Sequence, residues 1–242
     1  MARRLFFVPG VVRSRAELRG EEAHHLTRVL RVEAGQRYEI SDNESAYLAE
    51  VETARKDLVV FQVLEKLEDE PPGPRITLLA SLIKFDRFEW IVEKAAELGA
   101  AAIVPVNAAR SEKGLADGAR KRAGRWRRIA LEASQQARRR RLLEVEPPAG
   151  FAAALAQEAR FRFLLDETPG APALLAALPP AGERARTAAV ALLAGPEGGW
   201  TPDERQAAIA AGWRAASLGR RILRAETAAL AALAVIGAAW ED

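Results

Sequence analysis

The sequence predicts a small β-rich domain followed by an α/β domain built on a mostly parallel sheet, and three observations carry that reading. Strand candidates separated by polar turns fill residues 1–70, and an acidic, proline-rich stretch follows them. From Ile76 onward, apolar runs alternate with segments of helical periodicity. The third observation is a pair of strand-to-helix bends near the C-terminus, LLAGPEGGWTPDE (192–204) and LGRRILRAETAALAAL (218–233). With 242 residues, 49% of them hydrophobic and 29% charged, the chain is long enough for one large or two modest domains.

In the first domain the strand candidates are Arg4–Val8, Arg37–Ile40, the alternating Ala46–Val51 and Leu58–Val63. One helix, Glu21 to Leu30, carries His24, His25 and Arg28, with Arg31 just beyond it. The layout is that of a compact barrel presenting a basic helix. Adjacent histidines on a helix point in different directions, so His24 and His25 do not suggest a shared metal. The stretch from Glu65 through Pro71-Pro72-Gly73-Pro74 reads as a linker, because proline ends both helix and strand.

In the second domain, residues 75–242, the expected order is strand Ile76–Leu82, helix Arg87–Leu98, strand Ala101–Val106, a long basic helix and strand Phe161–Asp166. The two strands that carry the bends and a final Ala-rich helix complete it. Ala188–Ala194 is a continuous apolar run, as in a strand buried on both faces of a parallel sheet. After it, Gly195, Gly198 and Gly199 allow a sharp bend, Thr201 reads as an N-cap, and Pro202 and Glu204 complete a capping box. In the second bend a short strand, Arg214–Ser217, ends at Leu218-Gly219, and a helix starts within Arg224-Ala225-Glu226. Exposed backbone groups gather at such bends, and parallel sheets bind ligands at the carboxyl ends of their strands.

Composition excludes several chemistries. With no cysteine there are no disulfides, thiolate nucleophiles or Cys-based zinc sites, and two histidines do not supply a multi-histidine metal centre. Neither G-x-G-x-x-G nor a P-loop motif is present. The opening MARRLFFVPG lacks a signal-peptide core, and the longest uncharged run, Thr227–Trp240, is too short for a bilayer, so a cytoplasmic protein is expected. The net charge is only +3, but basic residues crowd Arg120–Arg141, where Glu132 is the single acid. Trp126, Ile129, Ala133 and Ala137 keep helical spacing through it, so one face can pack while arginines fan out opposite. So concentrated a charge points to a polyanionic phosphate partner.

With these residues in hand, the chain resembles the ribosomal RNA small subunit methyltransferase E family over nearly its whole length. GPEGG (195–199) and LGRRILRAETAA (218–229) are the strongest matches. His25 with Arg28-Val29-Leu30-Arg31 is similar to the family's basic helix, SLIKFDRFEWIVEKAAELG (81–99) to its S-x-x-K-x-x-[KR] segment, and Arg110-Ser111 follows the next strand. Phe85 stands where Gly is usual, Gln135 where Glu is common, and Leu143 where Pro is common.

The resemblance implies a PUA-like β-barrel RNA-binding domain (1–70) and a SPOUT-type α/β domain (75–242) whose C-terminal trefoil knot binds S-adenosyl-L-methionine. It implies methylation of N3 of a uridine in 16S rRNA, with the rRNA or the assembled 30S subunit as partner, a homodimer, and neither metal nor membrane; the apolar Glu226–Trp240 helix reads either as a dimer surface or as part of the chain's own core. The alternative is a non-catalytic rRNA-binding or ribosome-assembly protein. The implied cofactor contacts are Leu165, Ala194, Gly195, Leu218, Ile222 and Leu223, with Gly198 and Gly219 permitting close approach and Glu197, Arg224 and Thr227 beside them. Asp166-Glu167 would meet the ribose or methionine end. RNA contacts are expected from His25, Arg28, Arg31, Lys84, Arg110, Arg128, Arg138, Arg139 and Arg141. For the chemistry two readings stand: Glu197 or Glu226 takes the N3 proton, or Arg221 or Arg224 stabilises the uracil anion while solvent takes it. Arg224 is the first choice for a catalytic contact.

Overall fold

The computed structural model describes residues 4–71 and 73–241. The chain forms two units, one of Met1–Pro71 with Ser134–Leu142, the other of Pro72–Ala133 with Leu143–Asp242.

In the first unit, strands β1 (Leu5–Phe7), β2 (Arg15–Arg19), β3 (Arg37–Ser41), β4 (Ala46–Arg55) and β5 (Leu58–Lys66) form a sheet in the order β1-β3-β4-β5-β2, and helix α1 (Gly20–Arg28) follows β2. All pairings are antiparallel except β1 with β3. Two register shifts between β4 and β5 mark irregularities of the kind that add twist and curl. The inward residues of each strand, among them Phe6, Leu18, Ile40, Val51, Val59 and Phe61, meet Leu26 of α1 in one core. β2 is absent from the sequence reading, although its Ala16 and Leu18 alternate inward between charged neighbours.

The end of the basic segment, residues 134–142 with Arg138 to Arg141, groups with this unit, and its earlier part, through residue 133, with the second. Ser41 Oγ donates to Arg140 O at 2.6 Å, Leu142 N to Asn43 Oδ1 at 2.7 Å, and Arg141 Nη1 to Asn43 O at 3.2 Å.

The second unit contains β6 (Arg75–Ser81), α2 (Phe85–Glu97), β7 (Ala102–Asn107), α3 (Leu115–Gln136) up to residue 133, β8 (Glu144–Val145), β9 (Ala149–Gly150) and α4 (Phe151–Leu155). After them come β10 (Phe161–Leu165), α5 (Leu174–Ala177), β11 (Ala189–Ala194), α6 (Pro202–Ala210), β12 (Arg214–Ala216) and α7 (Ala225–Glu241). The sheet order is β12-β10-β11-β6-β7-β8 with β9 on β7, and the pairings are parallel. β11 sits between β10 and β6 with Val190 to Ala194 buried, which is why its sequence is unbroken apolar. Its Val190, Leu192 and Ala194 face a core shared with α2, α3 and α7, and Ala191 and Leu193 face a second with Trp200 and α6.

α3 stops at Gln136, one residue short of the periodicity read through Ala137. Arg139 N bonds Ser134 O at 2.9 Å and Arg138 N bonds Gln135 O at 3.1 Å, while Arg138 takes φ +56. This is a Schellman closure with arginine where glycine is usual. α7 turns Leu230, Leu233, Ile236 and Trp240 into the chain's own core, so its large apolar side chains are not a free dimer surface.

The departure at Phe85 has a structural partner. A Cβ on Gly118 of α3 would come 2.7 Å from Phe85 Cζ, and the Phe85 ring lies 6.1 Å from Trp126 with the Arg122 guanidinium 4.5 Å from its centroid. Glycine inside a helix normally costs about 1 kcal/mol relative to alanine. Here Gly118→Ala is expected to destabilise by about 1 kcal/mol through overpacking, and to stabilise once Phe85→Ala has made room. Urea unfolding midpoints of the four proteins at constant m-value check the reversal of sign.

Candidate functional site

Because β10 lies between β12 and β11, the loops that leave these three strands emerge side by side at their carboxyl ends. With the start of α7 and Arg87 from the first turn of α2 they line a cavity of about 520 Å³. Leu165, Leu218, Ile222, Leu223 and Ala228 supply apolar surface, the Gly195–Gly199 and Ser217–Gly219 segments supply backbone, and Arg87, Glu197, Arg221 and Arg224 supply charge. A volume of this size suits a small-molecule ligand.

The first glycine loop is fixed from below. Trp200 is fully buried and donates from Nε1 to Leu165 O at 2.8 Å, tying the β11 loop to the end of β10. A Cβ on Gly195 would stand 3.1 Å from that indole. At Gly199 the backbone has φ +66, which favours glycine, and a Cβ there would displace the Glu167 carboxylate. The capping box read from sequence is present: Glu204 N donates to Thr201 Oγ1 at 3.2 Å, and Thr201 N to Glu204 Oε2 at 2.9 Å. The buried Glu204 also accepts from Ala109 N at 2.8 Å, while Arg110 Nη1 donates to Gly198 O at 2.8 Å. The loop after β7 therefore braces the loop after β11.

Two sets of charges border the cavity. Asp166 Oδ1 accepts from Thr168 N (3.0 Å), Thr168 Oγ1 (2.7 Å) and Arg205 Nε (3.0 Å), and Glu167 pairs with Arg205 at 3.1 Å. Burial alone would raise the Asp166 carboxyl, but the Thr168 and Arg205 hydrogen bonds outweigh it and hold the group below its ordinary 3.8. On the other side Arg87 pairs with Glu197 and places Nε 3.9 Å from Glu226 Oε1. The Glu226 side chain is 8% exposed, and its Oε2 has no hydrogen-bond partner among the described residues.

Comparison with known proteins gives this arrangement a family. The model of an RNA methyltransferase domain matches residues 69–237, and that of an RNA methyltransferase PUA domain matches residues 18–64. Ribosomal RNA small subunit methyltransferase E of Synechocystis is 34% identical, over all of this chain and 79% of the relative. The protein of that name from Bacillus subtilis is 32% identical, over 90% of this chain and 87% of the relative. The chain belongs to the ribosomal RNA small subunit methyltransferase E family. Among solved structures, methyltransferase E of Neisseria gonorrhoeae bound to S-adenosyl methionine superposes with a TM-score of 0.85 at 31% identity, covering 98% of each chain. A Legionella pneumophila putative methyltransferase in complex with the same cofactor gives 0.86 at 28%, over 99% of this chain and 98% of that one. The fold is thus the SPOUT-type α/β knot preceded by a PUA-like β-barrel domain, as the resemblance implied.

The methyltransferase E motifs fall at the cavity. Leu165, Gly195, Glu197, Gly198, Leu218, Gly219, Ile222, Leu223 and Arg224 line it. Ala194 is buried beneath it, and Thr227 and Glu226 line a smaller neighbouring cavity with Asp86, Arg87, Trp90 and Arg224. Arg87 is the site residue that sequence reasoning missed, though it occupies the [KR] position of the quoted S-x-x-K-x-x-[KR] segment. Asp166 and Glu167 also line the larger cavity, and both are bonded to Arg205, with Thr168 donating to Asp166 as well.

Of the expected RNA contacts, His25, Arg28, Arg31, Arg138, Arg139 and Arg141 share the first unit, and Lys84, Arg110 and Arg128 lie in the second. Arg28, Arg31, Lys84, Arg110, Arg128, Arg138 and Arg141 are exposed and His25 is half-buried. Burial lowers the Arg139 guanidinium to about 10, with Glu70 opposing the shift. Among the described residues no group of three or more His, Cys, Asp or Glu is placed to hold a metal, and no helix is long and apolar enough to cross a membrane.

Asp166 makes stability depend on acid in one direction. A carboxyl whose folded-state value lies below its unfolded one contributes fully above the unfolded value and loses that contribution as pH falls through the folded one. The difference in thermal midpoint between the native protein and Asp166→Asn is expected to be constant from pH 7 to about 5 and to close below about 4. A difference independent of pH contradicts the assignment.

Proposed function

We propose that this chain transfers a methyl group from S-adenosylmethionine to N3 of a uridine in 16S rRNA. The observation that carries this reading is the cavity at the ends of β10, β11 and β12, where apolar side chains and open backbone lie next to paired carboxylates and guanidiniums. The residues present fit the cofactor. Its adenine suits the slot of Leu165, Leu218, Ile222 and Leu223, and the positive φ of Gly199 and Gly219 lets backbone approach where a side chain would intrude. Bound there, the cofactor supplies a methyl group on a positively charged sulfur.

The chain supplies position and charge. Holding two reactants in line is worth roughly 7–11 kcal/mol at best. The uracil N3 must also lose its proton. Glu226, with an oxygen that has no hydrogen-bond partner among the described residues, is the better placed acceptor, because Arg87 hydrogen-bonds Glu197 and only approaches Glu226, at 3.9 Å. Arg224 lines both cavities and is assigned the negative charge that spreads to the uracil oxygens as the proton leaves.

The same reading takes the partner to be 16S rRNA or the assembled 30S subunit in the cytoplasm, and the working form to be a homodimer. The exposed arginines of each unit are assigned as RNA contacts, through which backbone charge and shape are read. An intact cavity with its glycine bends favours this enzyme over a non-catalytic RNA-binding protein.

Arg224→Ala is expected to lower the rate of methyl transfer about 100-fold, the usual cost of one stabilising donor, while the cofactor dissociation constant stays within about threefold. Transfer of radiolabelled methyl to unmodified 30S particles and to free 16S rRNA measures the first, and calorimetry the second. Transfer by Arg224→Ala at the native rate removes Arg224 from the chemistry.

A further inference from the structure

We propose that the smaller cavity beside the cofactor cavity receives the target uracil, unstacked from its RNA, and that the Trp90 indole is the surface on which the base lies. The proposal rests on the function above and names the acceptor site that the function requires.

Four observations meet here. The smaller cavity, about 340 Å³, shares Arg87 and Arg224 with the larger one, so the groups on the common wall can serve both occupants. Trp90 lines it and is 44% exposed, whereas Trp126, Trp200, Trp213 and Trp240 are each 3% exposed or less. Trp90 lies three residues after Arg87 on α2, so indole and guanidinium share one helix face. Finally, Glu226, nine-tenths buried in the wall, keeps an acceptor oxygen without a donor among the described residues.

The chemistry of that lining selects a base. The Watson–Crick edge of uracil offers two carbonyl acceptors flanking one N3–H donor. In the wall, Arg87 and Arg224 can donate to the two carbonyls and Glu226 can accept from N3–H, with Asp86 and Thr227 completing the polar lining. Cytosine would set an unprotonated N3 against the carboxylate and is disfavoured. An enzyme that modifies N3 must take the base out of its pair and stack, and an aromatic face replaces the stacking that is lost.

Because Trp90 is the single exposed tryptophan of the five, the fluorescence fraction open to acrylamide reports on it. The full chain, saturated with S-adenosylhomocysteine, is titrated with a short oligouridylate and with an oligocytidylate of equal length. Oligouridylate is expected to shield Trp90 from acrylamide, at concentrations about fivefold or more below those needed with oligocytidylate. In methyl transfer to 30S particles, Trp90→Ala is expected to raise the KM for RNA about tenfold or more with cofactor affinity unchanged, and Trp90→Phe to recover most of the loss. An indole as accessible with RNA as without it overturns the proposal, as does a native KM in Trp90→Ala. Shielding that grows with protein concentration alone means that a second copy of the chain covers Trp90, and overturns it too. Absence of methyl transfer by the unaltered protein would sink the proposed function instead, and the fluorescence arm would still decide the base site.

Discussion

Backbone groups can form a binding surface only if the strand ends that carry them keep a fixed spacing, and here the hydrogen bond from Trp200 Nε1 to Leu165 O sets it. The indole is fully buried beneath Gly195, 3.1 Å from where a Cβ would stand, so the glycine bend and the indole define one another. Unmaking such a bond leaves a buried carbonyl without a donor, at about 1–3 kcal/mol. The braces around it, Arg110 on Gly198 O and Glu204 on Ala109 N, come from the loop after β7 and the first turn of α6. A loop held from three sides can present its glycines without collapsing into the space that a ligand needs.

That rigidity separates two kinds of charge. On one side Asp166 and Glu167 share the Arg205 guanidinium, and Thr168 also donates to Asp166, so these carboxylates are held in the wall. On the other, Arg87 stands between Glu197 and Glu226, and Arg224 is shared by both cavities. The half assigned to the chemistry is the one in which the buried Glu226 keeps, among the described residues, a carboxylate oxygen without a hydrogen-bond partner.

Much of this was legible in the sequence because the signals were local. The apolar run of β11, the Thr201-Pro202-Glu204 cap and the glycine bends each have a short-range cause. β2 was lost because Ala16 and Leu18 are only two inward residues among arginines and a glutamate. The end of α3 was hidden because arginine, not glycine, adopts the left-handed closing position at 138. With that closure, residues 134–142 join the first unit, which no periodicity could announce. β8 and β9 are two residues each, too short to show alternation. A knot is a property of threading and leaves no trace in pattern. Arg87 escaped notice because its importance comes from Glu197, 110 positions away in the chain.

The measurement closest to the central claim is calorimetric titration of S-adenosylmethionine into the native protein and into Trp200→Phe, which keeps an aromatic ring but loses the donor to Leu165 O. The native protein is expected to bind, and the variant, folded by circular dichroism, to bind about tenfold more weakly. Equal affinity in the two would show that the loop does not depend on this bond, and no heat in the native protein would contradict the cofactor cavity itself.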